Sequence, residues 1–515
     1  MMKQILFGAM FLSSGIAYGQ KEDASAKFAA LITPASMKQK LTILAGPEME
    51  GRETAMPGER KAAAYIESEF KRMGLKPGNG NSYQQYFNVY QDELASIEMR
   101  VNGKLYNWDK DYMMSLQTIA NGKTSSKELV FVGYGIVDKA AGIDDYAGLD
   151  VKGKIVMMLD AAPAGYKAPT PAPGTRTPSP VSGMAKATAA RTAGATGVIL
   201  VSKDFPRKNP TPTKGNMYMN KPAGAPFMMV TVSEEIASAL AGRTAKLSSE
   251  ALASLNKGKY TAELSINADK KSIALETSNV IGIIEGTDKK DEYVFMTGHH
   301  DHLGKRGDVI YYGADDDGSG TVGVMQMAEA FAAAAKKGNK PRRTLVFMTV
   351  SGEEKGLWGS QYYSDNPIFP MEKTTVDLNT DMIGRVDTER KTADTLNYIY
   401  VIGHDKLSSD LAKINEGVNA KYLNMTLDYK YDDPKDVNRI YYRSDHYNFA
   451  RKGVPILFFY DGMLKAEYHQ PGDTVDKINF ELMEKRAKLV FHTAWEMANR
   501  DEMLKRDIPL TMPAR

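Results

Sequence analysis

Five short stretches of this chain carry side chains that bind metal ions or move protons. In order they are TGHHDHLG (297–304), GADDDGSG (313–320), SGEEKGLWGS (351–360), LNTDMIG (378–384) and YHQPGDT (468–474). Two histidines and three carboxylates from such a set can hold two divalent cations with one shared bridge. One glutamate is then left over to handle a proton. The chain contains no cysteine, so any metal site must be built from imidazole and carboxylate, donors that suit zinc, manganese or cobalt.

Each stretch has its own chemistry. TGHHDHLG follows the apolar run EYVFM, so its histidines emerge at the carboxyl end of a strand, where open α/β sheets place their sites. His299 is the candidate ligand, and Asp301 can accept a hydrogen bond from the ring nitrogen that does not bind metal. In GADDDGSG one of three aspartates can bridge ions about 3.5–4 Å apart, with the glycines permitting tight backbone. Of Glu353 and Glu354, one can ligate while the other reaches a water as general base. Asp381 sits among apolar residues, where an unpaired carboxylate is costly to bury, and His469 lies in a loop before Pro471. Each stretch alone also admits a structural reading; it is the ordered set that is specific. RSDHYNF (443–449) places Ser444, Asp445 and His446 consecutively. Their side chains must diverge, and no G-x-S-x-G elbow accompanies them. His302, His404 and His492 read as packing or surface histidines, and Met325 and Met327 as core.

The elements that position these residues follow from periodicity. Helical spacing is expected over Arg60 to Met73, Gly320 to Lys336 and Phe480 to Asn499, with alternating strand-like residues over 84–118. ELVFVGYGIV (128–137), KIVMML (154–159) and GVILVS (197–202) read as strands, with a helix near Ala185 to Ala193 and Pro-rich loops at 161–182 and 205–226. From Ser278 onward strands and helices alternate, which predicts a sheet with helices on both faces. The fold class expected is α/β: a three-layer sandwich with a mixed central sheet, interrupted by a small β-rich domain. The expected boundaries are a signal peptide at 1–19, the first part of the main domain at 30–120, the insertion at 121–265 and the rest of the main domain at 270–505.

Composition narrows the function. With 515 residues and 43% hydrophobic content the chain can bury a large core without disulfides. A net charge of +3 gives no electrostatic footprint for nucleic acid. An apolar run from Ile5 to Tyr18, with Ala17 and Gly19 before Gln20, reads as a secretory signal peptide. Export to the periplasm or medium is therefore expected. No later stretch reads as a membrane span.

The ordered motifs resemble those of the dinuclear-zinc aminopeptidases, peptidase family M28. The resemblance extends to EMEGR (48–52), and GYGI, DDYAGLDVKGKIV and AGATGVILV resemble the protease-associated domain inserted in several exopeptidases. It implies two zinc ions per chain, with Asp316 bridging them and joined to Asp317 by a cis bond. His299 and Asp381 would complete one site, and Glu354 and His469 the other. Glu353 would be the general base, and Tyr468 a phenol that polarises the scissile carbonyl. Asp301 and Asp317 would support the ligands, and Asp445 or His446 would line a substrate pocket. The implied substrate is a peptide or small amide, most simply cut at its N-terminal residue. Other relatives suggest a carboxypeptidase, with Arg385 or Arg443 reading a carboxylate, a single-zinc glutaminyl cyclase, or an inactive binding protein. Oligomeric state is left open.

Overall fold

The computed structural model of the protein describes residues 23–170, 178–221 and 223–510. The expected signal peptide lies outside them, as does part of the first Pro-rich loop. The chain forms two compact units, residues 1–85 with 278–515, and residues 86–277.

The first unit is built on a mixed sheet. Thr374–Thr380 pairs parallel with Ile456–Tyr460 on one side and Lys289–His299 on the other. Arg343–Val350 continues the parallel set, and the end of Gly258–Ile284 adds to it antiparallel. Tyr398–Ile402 runs antiparallel to Ile456–Tyr460 and parallel to Thr426–Asp428. The inner strands are buried along their whole length, as strands covered on both faces must be. Successive side chains therefore feed two cores. Val294, Met296, Leu345, Phe347, Leu378 and Phe459 pack with the helices Pro34–Leu44, Pro57–Met73, Gly320–Lys336 and Phe480–Asn499. Phe295, Val346, Met348, Phe458 and Tyr460 point the other way, among Tyr363, Tyr447 and Phe449 of the helices Trp358–Asp365 and His446–Ala450. This is the three-layer arrangement with a mixed sheet that the alternation predicts.

The second unit is also built on paired strands. Gly122–Phe131, Ile155–Leu159, Gly197–Val201 and Met228–Val232 run parallel in that order. Residues 258–268 and 112–114 close the two edges antiparallel. Residues 86–120 belong here and not with the main domain, as the boundary at 121 had placed them. The physical reason is packing: Leu94, Met99, Val101, Tyr112, Met114 and Leu116 share a core with Phe131, Met157, Ile199 and Val230. The second loop, 205–226, also contains a strand, Lys214–Tyr218, which pairs with Gln84–Val101. Among the described residues no helix is long and apolar enough to cross a membrane.

Candidate metal centre and active site

All six residues expected to act at the metals converge at the carboxyl ends of the parallel strands of the first unit. His299 ends the strand Lys289–His299, and Asp381 follows Thr374–Thr380. Glu353 and Glu354 follow Arg343–Val350. Asp316 lies in the turn leading into the helix Gly320–Lys336, and its peptide bond to Asp317 is cis. His469 comes from a loop, with a left-handed φ of 56°.

The two oxygens of Asp316 face opposite partners. Oδ1 is 3.3 Å from His299 Nε2, and Oδ2 is 3.0 Å from His469 Nε2. Asp381 Oδ1 stands 3.6 Å from His299 Nε2, and Glu354 Oε2 3.2 Å from His469 Nε2. Zinc ligands at about 2.0–2.1 Å in a tetrahedron stand roughly 3.3 Å apart, so each half of the cluster has the spacing of one cation's donor set. His299 Nε2 is buried with no hydrogen-bond partner among the described residues. With both imidazoles neutral, the carboxylates of Asp316, Glu353, Glu354 and Asp381 would carry a charge that two divalent cations balance. That charge is felt by its neighbours. Burial alone would lower His469, but hydrogen bonding to Asp316 and Glu354 raises it to about 10. Burial also opposes protonation of His299, yet Glu353 and Asp381 push it well above its ordinary value. The donor set of imidazole and carboxylate fits zinc.

Glu353 is half-buried at the cleft, and desolvation raises it well above the usual carboxylate range. Its Oε2 is 3.8 Å from His299 Nε2. Tyr468 lines the same cleft and stacks on His469 with ring centroids 3.9 Å apart. Its hydroxyl accepts a hydrogen bond from Arg443 at 2.9 Å.

The supporting residues differ in detail from expectation. His299 Nδ1 is within hydrogen-bond distance of the backbone oxygen of Asp301 at 3.1 Å, while the Asp301 carboxylate lies farther off at 3.6 Å. That carboxylate instead accepts from Thr54 Oγ1 at 2.7 Å and from the Glu353 amide at 3.1 Å, so it ties the base's loop to the histidine's. Asp317 lies close enough to His299 and Asp381 to join a donor set. Its oxygens, however, are taken by the amides of His299, Gly320 and Met382 at 2.9–3.0 Å. It holds the loops together through these backbone contacts.

Asp445 and His446 do not line the cleft. Both are fully buried behind it. Asp445 accepts from Ser360 Oγ at 2.5 Å and is raised to about 7 by burial. His446 lies 2.8 Å from the Tyr441 carbonyl, stacks on Phe458, and is lowered to about 3 by burial. The short helix starting at His446 turns both inward, and Arg443 faces the cleft in their place.

Sequence reasoning also missed residues. His302 does not merely pack: it is fully buried, and its Nδ1 lies 2.7 Å from Glu354 Oε1, the oxygen turned away from His469. Its position three residues after His299 in the same motif was the available signal. Arg52 of EMEGR is fully buried and donates to the carbonyls of Leu44, His300, Tyr312 and Gly313 at 2.7–3.0 Å. Asp473 accepts from the amides of Asp315 and Asp316 at 3.0–3.1 Å.

The fold and its cluster define an α/β sandwich with a histidine–carboxylate centre at its strand ends. Residues 279–494 match Peptidase family M28, and residues 125–240 match the PA domain. Residues 279–494 are thus an M28-type peptidase region, preceded by a region similar to the PA domain. It is 29% identical over 225 residues to a probable leucine aminopeptidase of Trichophyton verrucosum, covering 43% of this chain and 57% of that protein. It is 25% identical over 268 residues to a probable zinc metalloprotease of Pyrenophora teres f. teres, covering 44% and 52%. The chain thus spans little more than half the length of these curated relatives. The solved aminopeptidase from Aneurinibacillus sp. strain AM-1 shares the fold, with a TM-score of 0.52 at 21% identity over 95% of this chain and 100% of that one.

Proposed function

We propose that this chain is a zinc-dependent exopeptidase that releases N-terminal amino acids from peptides or small amides. The observation that carries the reading is Asp316, whose two oxygens face His299 and His469 at 3.3 and 3.0 Å. On this reading His299, Asp381 and Asp316 would hold one zinc, and Glu354, His469 and Asp316 would hold a second. When bound, the two ions supply Lewis acidity and lower the pKa of water toward neutrality. Glu353 takes the proton of the attacking water and passes it to the leaving amine. Its raised proton affinity, caused by burial, suits it to hold that proton in transit. Tyr468 offers its phenolic hydrogen to the carbonyl oxygen as charge develops there. Asp301 fixes the Glu353 loop, and His302 orients Glu354. The names of the two relatives, leucine aminopeptidase and zinc metalloprotease, support the class of reaction.

The test is hydrolysis by metal-loaded protein of amino-acid anilides beside N-blocked peptides, with metal content measured on the same sample. Cleavage confined to substrates with a free amine, at two zincs per chain, supports the reading; cleavage of blocked peptides alone overturns it. We further propose that residues 1–19 direct export. Their composition supports this, and a mature exported chain beginning near Gln20, by mass spectrometry of cell fractions, is the expected result.

A further inference from the structure

We propose that Arg443 is a specificity residue that reads a carboxylate on the substrate, so that the preferred substrates are acidic at one defined position. The inference rests on the exopeptidase reading and adds the substrate class. Three observations carry it. First, Arg443 lines the cleft beside Asp316, Glu353 and Asp381, and its side chain is open to solvent. Second, it has no carboxylate partner among the described residues; its guanidinium donates to the Tyr468 hydroxyl at 2.9 Å. The other arginine near the cluster, Arg385, is by contrast consumed by Glu467 at 2.7 Å and lies 3.9 Å from Asp473. Third, Tyr460 lines the same cleft, is 3% exposed, and its hydroxyl lacks a hydrogen-bond partner among the described residues.

A guanidinium presents its donors in a planar fork that matches a carboxylate, and a buried hydroxyl left without a partner is costly. A carboxylate entering this end of the cleft would pair with Arg443 and lies within the region where Tyr460 offers a further donor. Of the acidic residues in the cleft, Asp316 and Asp381 face His299, and no carboxylate among the described residues stands within ion-pair distance of the Arg443 guanidinium. The carboxylate could come from the free C-terminus of a dipeptide or from an aspartyl or glutamyl side chain. The chemistry is the same, and substrate choice separates the sources.

The experiment measures kcat/KM of metal-loaded protein on leucyl-leucine, leucyl-leucine amide, leucyl-aspartate amide, aspartyl-leucine amide and leucine p-nitroanilide. One of the three carboxylate-bearing substrates is expected to exceed leucyl-leucine amide by about 10- to 100-fold, the range of a hydrogen bond to a charged group. Leucyl-leucine as that substrate identifies the terminal carboxylate; either aspartyl compound identifies a side chain and its side of the bond. In Arg443→Met the ratio of acid to amide is expected to fall toward one, while Arg443→Lys keeps part of it. The ratio is the readout because a mere loss of Tyr468 positioning lowers both rates together and leaves it unchanged. A wild-type ratio near one, or a ratio that survives Arg443→Met, overturns the inference. Absence of turnover on every substrate, the anilide included, overturns the exopeptidase reading instead. Calorimetric binding of leucyl-leucine, the two aspartyl amides and leucyl-leucine amide to Glu353→Gln protein then decides the inference by itself. One acid binding at least about tenfold tighter than the neutral amide supports it, and equal binding of all four overturns it.

Discussion

At the scale of single residues, the proposed reading divides labour in the cluster between groups that hold charge and one, Glu353, that moves a proton. Glu353 stands 3.8 Å from His299 but accepts none of the short contacts that surround Asp316. Glu353→Gln should therefore keep metal, by elemental analysis, while kcat falls by roughly 10²- to 10⁴-fold, the usual contribution of a general base. Asp316→Asn is expected to lose both ions, since each half of the cluster depends on one of its oxygens. The pH dependence of metal binding follows from His469. Its pKa is raised from 6.5 to about 10 by Asp316 and Glu354 against the opposing effect of burial. Between those values the imidazole holds a proton that a cation must displace, because a ligating histidine is neutral. Affinity should rise with pH across that window, by about tenfold per unit for each proton displaced, and chelator competition at two pH values measures it. Part of this was legible in sequence because His299, Glu353, Glu354 and Asp381 each end or closely follow a buried strand. The pocket assignment was not. Asp445 and Arg443 are two residues apart, and only the local turn decides that the arginine faces the cleft while the aspartate hydrogen-bonds Ser360.

At the scale of elements, the strand ends are held in register by groups that are not ligands. Arg52 has a left-handed φ of 53° and spends its guanidinium on four carbonyls from three separate segments. One of those carbonyls belongs to His300, beside the ligand His299, and another to Gly313, at the start of the Asp316 turn. Arg52→Met would leave these carbonyls buried without a donor, at about 1–3 kcal/mol for each unsatisfied group. The expected outcome is a loss of several kcal/mol in denaturant unfolding, together with weaker metal binding. Weaker binding without a change in stability would show that Arg52 acts on the site alone. Helix limits were readable from apolar spacing, as in Gly320–Lys336 and Phe480–Asn499. The polar network was not, because Arg52 and its acceptors at 300 and 312–313 are more than two hundred residues apart and share no periodicity.

At the scale of the whole molecule, the metal centre and its supports belong to the first unit. Every ligand, together with Arg52, Thr54, Asp301, His302 and Asp473, falls within residues 1–85 or 278–515. The ends of that unit's two segments lie side by side: the Ile281 amide donates to the Tyr83 carbonyl at 2.6 Å, and Asn279 Nδ2 donates to Gln85 Oε1 at 3.1 Å. A short glycine–serine linker can therefore join Gln85 to Ser278 in place of residues 86–277. The first unit also keeps its two cores, one on each face of the sheet, without borrowing an apolar residue from the excised segment. The excised segment likewise has its own cores, consistent with insertion of one folded domain into another. The joined first unit is expected to fold cooperatively and to bind metal with the stoichiometry of the full chain. Circular dichroism during thermal unfolding and elemental analysis check this. A joined unit that fails to fold would mean that the strands crossing the boundary, Gln84–Val101 and Gly258–Ile284, need the second unit's pairing to form. A joined unit that folds but binds no metal would instead place part of the centre's support outside the residues assigned to it.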